Sequence, residues 1–364
     1  MEHDAEVLLD ATTGLIPPLL DALEALSWAG RHLHPPDIDG LVNDLAPFRV
    51  PLTDGLERFE ATLWPSHLAF FEQQARAAAG HALRALTALE EAPARSNPVL
   101  GAYGALRHLP LALEALYPVS FMLGPVSRFY VSRGHRSDAD LLERLARADP
   151  GRDEVGVMHA SNGSDERGGF SVYVPEYYES GQAMPLVVAL HGGSGHGRNF
   201  LWTWLTDART RGVILVTPTS RDDSWSLQGP DLDTANLQAI VEHVSALWSV
   251  DESRILLTGM SDGATFSWVS GLQSGSPFTH LAPVSGTFHP LLLEVADPAR
   301  LRGLPVYLVH GALDWMFPVE VAREARDTLM ATGAQVTFRE IPDLSHTYPR
   351  EENDGILSWL ETGA

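Results

Sequence analysis

The 364-residue chain contains no cysteine. That excludes disulfides, thiolate metal sites and a thiol nucleophile. Lysine is missing as well, all 25 basic residues being arginine. Without lysine there is no P-loop lysine and no Schiff-base chemistry. Positive charge is scarce altogether: 47 Asp and Glu bring the formal net charge to -22. Such a surface repels phosphate backbones and anionic lipid, which argues against a nucleic-acid partner. No apolar run approaches the ~18 residues that span a bilayer, so no membrane association is expected. The acidic start lacks the basic segment and apolar core of a secretory signal, and the expected location is cytoplasmic. What is left for covalent chemistry is mainly Ser, Thr, Asp, Glu, His and Tyr. The chain is 45% hydrophobic, enough for a large core, and its length suits roughly two domains.

Two halves differ in pattern. Residues 1–151 read as a helical N-terminal accessory domain, its first helices interrupted at Pro17-Pro18 and Pro35-Pro36. Apolar residues from Leu68 to Leu89 recur at helical spacing, and a further helix is predicted from Pro98 toward Tyr117. Ser137, with Asp140 three residues on, is predicted to cap a short helix that ends at Asp149-Pro150-Gly151. His32, His34, His67, His81 and His108 share no metal-binding spacing and read as packing or surface residues. Residues 152–364 alternate strands and helices, which predicts a mostly parallel sheet covered on both faces. Strands are expected at 155–160, 170–175, 186–190, 213–217, 255–258, 306–309 and 336–341, the first two joined as a hairpin through Asn162-Gly163.

Gly259-Met260-Ser261-Asp262-Gly263 follows one of these strands and precedes a helical stretch, the context in which G-x-S-x-G makes a sharp strand-to-helix turn. The glycines leave room for that turn, and the strained backbone lifts the serine oxygen to the carboxyl end of the sheet. A serine hydroxyl needs a base to take its proton. His346, in the loop after the last strand, is the natural base. Asp314, just beyond the strand 306–309, is its orienting acid and is preferred to Asp343, which lies close to His346 along one loop. His191-Gly192-Gly193-Ser194-Gly195 follows another strand, and its backbone N–H groups can turn toward a developing oxyanion. Gly193 and Asp262 are the expected donors, with the Asp262 carboxylate expected to point away.

The segments LHGGSG at 190–195, TGMSDG at 258–263, HGALDWMFP at 310–318 and LSHTYP at 344–349 resemble the α/β-hydrolase superfamily. The resemblance covers residues 152–364 and is to its carboxylesterase and polyhydroxybutyrate-depolymerase or feruloyl-esterase-like branch. It implies an α/β-hydrolase fold with an eight-stranded, mostly parallel sheet, preceded here by the helical domain. It also implies serine hydrolysis of a small-molecule carboxylic ester through an acyl-enzyme. Ser261, Asp314 and His346 carry over as the triad and Gly193 and Asp262 as the oxyanion donors, with no metal or organic cofactor. A serine peptidase of the prolyl-oligopeptidase kind and a binding protein on an inactive hydrolase fold are the alternatives.

Trp225, Trp315 and Met316 are candidate substrate contacts, each with core packing as its competing role. His191 and His310 are expected to brace loops, and His289 to lie in a surface loop. A metal cluster around His191 and His196 has no recognised spacing. Short acyl chains are the expected preference. Nothing in the sequence sets an oligomeric state.

Overall fold

The structure is a computed structural model describing residues 2–362. It divides into two compact units, Met1–Val131 and Ser132–Ala364.

The first unit is helical: α1 (Glu2–His32), α2 (Ile38–Glu60), α3 (Ala69–Glu91), α4 (Pro98–Leu106), α5 (His108–Leu116) and α6 (Gly124–Phe129). The interruption expected at Pro17-Pro18 does not occur, because both prolines lie inside α1; Pro47 and Pro51 lie inside α2. An interior proline costs about 3 kcal/mol. In α1 the stripe Leu15, Leu19, Leu23 and Leu26 is fully buried. At about 1.5–3 kcal/mol for each buried side chain, that packing outweighs the penalty. Arg107 splits the helix expected from Pro98 to Tyr117 into α4 and α5.

The second unit opens with α7 (Ala139–Arg147), capped by Asp138 rather than Ser137: its Oδ1 accepts from Leu141 N–H at 3.0 Å. Ser132 Oγ donates to Asp207 Oδ1 at 2.6 Å, and the Arg144 guanidinium sits 4.8 Å from the Tyr177 ring centre. These contacts join 132–151 to the second unit, so its division lies ahead of the 151/152 boundary drawn from composition.

Eight strands form its sheet: β1 (Gly156–Ala160), β2 (Phe170–Val174), β3 (Met184–Leu190), β4 (Ile214–Pro218), β5 (Val250–Met260), β6 (His280–Val284), β7 (Pro305–Gly311) and β8 (Gln335–Ile341). Their order is β1-β2-β4-β3-β5-β6-β7-β8, antiparallel for β1-β2 and β2-β4 and parallel throughout the rest. This is the α/β-hydrolase fold with its mostly parallel sheet. The central strands are buried on both faces and therefore read as unbroken apolar runs. Helices α8 (Gly197–Arg211), α9 (Asp233–Leu247), α10 (Asp262–Gly271), α11 (Leu292–Val295), α12 (Pro298–Leu301), α13 (Val319–Ala331) and α14 (Glu352–Thr362) complete it. Strand β6 was not among the sequence expectations. Pro283 sits inside it, opposite Gly259, where a proline argues against a central strand.

Because β3 to β8 run parallel, their carboxyl ends share one edge, the place where ligands collect in open α/β sheets. The segments following β3, β5, β7 and β8 carry Gly193, Ser261, Asp314 and His346. Among the described residues, no helix is long and apolar enough to cross a membrane.

At the opposite end of the sheet α8 is tied down by a buried ion pair. Arg209 Nε donates to Glu176 Oε1 at 3.1 Å, and Tyr173 OH donates to Glu176 Oε2 at 3.0 Å. Removing one partner of such a pair leaves an uncompensated buried charge. Arg209→Met alone should lower the stability of this unit by about 3–5 kcal/mol, and adding Glu176→Leu should recover most of the loss. Urea denaturation followed by tryptophan fluorescence checks both.

Candidate active site

Strand β5 delivers Ser261 in a conformation that an L-residue seldom adopts, φ 56° and ψ -118°. Ser261 N–H donates to Val284 O at 3.0 Å, at the end of β6, and Thr265 N–H donates back to Ser261 O at 2.9 Å. The turn is possible because of its glycines. A Cβ on Gly263 would lie 2.5 Å from the carbonyl oxygens of Leu190 and His191, and one on Gly259 would lie 2.7 Å from the Gly263 carbonyl carbon.

Three side chains from separate strand ends converge there, all buried. His346 Nε2 lies 3.0 Å from Ser261 Oγ, and His346 Nδ1 lies 2.8 Å from Asp314 Oδ2. Asp343 does not take that position. Asp314 Oδ1 accepts from Met316 N–H and Phe317 N–H, each at 2.9 Å. Burial alone would raise the Asp314 pKa. The hydrogen bonds from His346 and the Phe317 N–H outweigh it and hold the carboxyl below its usual range. An ionised Asp314 has only acceptors, so Nδ1 must carry the proton and Nε2 presents its lone pair to the serine hydroxyl. The two loops are also tied by backbone: Ala312 N–H to Ile341 O and Leu313 N–H to Leu344 O, both 2.9 Å.

The 191–195 loop is pinned by His191. Its Nδ1 donates to Gly192 O at 2.7 Å, and its Nε2 accepts from Ser220 N–H at 3.1 Å. Gly195 N–H also donates to Gly192 O, at 3.0 Å. In a trans peptide the C=O and N–H point in opposite directions. Holding the Gly192 carbonyl inward therefore turns the Gly193 N–H outward. The neighbouring Ser194 N–H is spent on Asp223 O at 2.9 Å. The Asp262 carboxylate, expected to point away, is instead fixed beside this loop. Ser224 Oγ donates to its Oδ2 at 2.5 Å, and that oxygen would lie 2.7 Å from a Cβ on Gly193.

Trp225 is only 4% exposed; its indole N–H donates to His191 O at 2.7 Å and its ring stacks on Phe266. It braces the loop from behind and also lines the cleft beside Asp262. Trp315 and Met316 stand open at the rim, and the Trp315 ring centre is 6.5 Å from that of His346. Two residues of this site were missed in the sequence, Ser220 and Ser224, which hold the loop. Phe317 had a signal, its place with Trp315 and Met316 in the run after Asp314, and its ring meets His346 edge-on at 5.3 Å. The serines had none, being two of several in a polar loop. His310 braces as expected, its Nε2 2.8 Å from Phe317 O, and His289 is exposed. A cleft of about 800 Å³ opens beside Asp262, lined among others by Arg167, Arg221, Asp223, Ser224 and Gln228.

The family model described as Phospholipase/Carboxylesterase matches residues 227–363. A probable feruloyl esterase C of Aspergillus terreus is 29% identical over 154 residues, covering 40% of this chain and 55% of that protein. One of Aspergillus clavatus is 27% identical over 170 residues, covering 45% and 58%. These likenesses support a carboxylesterase-like family within the α/β-hydrolases. The chain spans a little over half the length of these curated relatives. Among solved structures, a thermostable esterase superposes on this α/β-hydrolase with a TM-score of 0.46 at 20% identity, over 58% of this chain and 63% of that one.

Burial pushes the His191 pKa down to about 4. The folded state thus binds fewer protons than the unfolded one, in which the ring titrates near 6.5. The stabilisation is complete above that value and is lost as pH falls toward 4, amounting to about 3 kcal/mol. The stability difference between the wild type and His191→Gln should shrink across this window when denaturation midpoints are compared at pH 7 and pH 4.

Proposed function

We propose that the protein is a serine carboxylic ester hydrolase acting on small-molecule esters. The observation that carries the reading is the unbroken line from Ser261 Oγ through the His346 ring to Asp314, at 3.0 and 2.8 Å, with the serine on a strained turn. Ser261 Oγ attacks the ester carbonyl carbon while its proton passes to His346 Nε2. Asp314 holds the tautomer and stabilises the imidazolium. The carbonyl electron pair moves to oxygen, which the N–H groups of Gly193 and Asp262 receive. Each such donor contributes about 2.7–4 kcal/mol to the transition state. Collapse breaks the bond to the alcohol, which takes the proton from His346. Water then attacks the acyl-enzyme through the same base, releasing the acid and restoring Ser261. The family of its relatives, whose names include feruloyl esterase, supports an ester as the substrate class.

Groups acting as one unit are strongly non-additive when removed. Ser261→Ala and His346→Ala should each lower kcat by about 10³–10⁶-fold, and the double variant should lose little more than the worse single. Asp314→Asn should lose about 10³–10⁴-fold. Steady-state hydrolysis of nitrophenyl esters measures all four. Full activity in Ser261→Ala, or losses that multiply, would remove the proposal.

A further inference from the structure

Asp314 does more than face His346. Its Oδ1 captures two successive backbone N–H groups, those of Met316 and Phe317. This closes a tight turn directly after the acid, and Trp315 and Met316 are left standing out of it. Leu313, Trp315 and Met316 are 43%, 47% and 48% exposed. Large apolar side chains clustered at a rim mark a surface that something apolar covers. The rings of Phe317 and Trp315 border the imidazole of His346 edge-on, at 5.3 and 6.5 Å between centres. The cleft beside Asp262 is lined mainly by polar groups, among them Asp222, Asp223, Ser224 and two arginines, with Trp225 and Leu227 between them.

The chemistry decides which half of an ester meets which wall. The leaving oxygen takes its proton from His346 Nε2, so it must lie within hydrogen-bond reach of that atom, about 2.6–3.2 Å. Its substituent then emerges along the imidazole edge. The carbonyl oxygen turns the other way, toward Gly193 and Asp262. Resting on the ester-hydrolase reading above, we propose that Trp315 and Met316 form the subsite for the alcohol half of the substrate, and that this half is apolar, an aromatic or branched aliphatic alcohol.

The reaction sequence supplies a sharp test, because the alcohol departs before deacylation. Acetate esters of methyl, butyl and benzyl alcohol share one acetyl-enzyme. In the wild type, kcat/KM should rise about tenfold from methyl to benzyl, as expected for partial burial of one ring. Trp315→Ala and Met316→Ser should reduce that ratio to about two, and Trp315→Phe should restore most of it. Rapid-quench hydrolysis of the acetyl-enzyme, which contains no alcohol, should proceed at the wild-type rate within twofold. Both substituted side chains are about half-exposed, so folding is not at stake. A flat alcohol series in the wild type would overturn the subsite. So would a loss in Trp315→Ala that follows acyl length or slows deacylation. Absence of any acetyl-enzyme on Ser261 would instead strike the ester-hydrolase reading itself.

Discussion

The site depends on one strained peptide. Ser261 sits at positive φ where β5 must become α10 within a single residue. Such a conformation costs about 1–3 kcal/mol and persists only where its surroundings over-determine it. Here they do. The preceding strand is paired on both sides, with β3 and β6. The Ser261 N–H is held by Val284 O, and the first turn of α10 closes back on the Ser261 carbonyl. Gly263 lets α10 approach the end of β3 so closely that no side chain would fit. The sheet thus holds the serine oxygen outside the strand ends, where two other loops can reach it.

Those loops follow from the same parallel register. β7 and β8 end side by side, and backbone hydrogen bonds from Ala312 and Leu313 to the β8 side keep their loops in step. Asp314 is then locked by two N–H donors and His346 by Asp314. A further layer lies behind the 191–195 loop. Ser220, Ser224 and Trp225, from one loop after β4, hold His191 and Asp262 by three hydrogen bonds. Preorganised N–H groups of this kind need no rearrangement when charge develops.

Much of this was legible in the sequence, for identifiable reasons. Each proposed reacting group sits in a short motif at a strand end, and apolar runs disclose buried parallel strands. Seven of the eight strands could be seen that way. β6 could not, because Pro283 masks it. The helical unit was legible in kind but not in its breaks. Prolines 17 and 18 carry a local signal that the buried leucine stripe of α1 overrules. Local capping was also misjudged by one residue, Asp138 serving in place of Ser137. The long-range braces left no trace. A serine that reaches Asp262 from a loop some forty residues earlier has no periodicity and no motif, and Trp225 becomes a brace only once β4 is set beside β3.

The central claim is that Ser261 is a nucleophile activated by His346 and Asp314. Its most direct measurement is covalent capture: treat the full chain with a fluorophosphonate probe and map the adduct by peptide mass spectrometry. The account predicts stoichiometric labelling of Ser261 that is lost in His346→Ala. An unlabelled protein, or a label on any other residue, would contradict it.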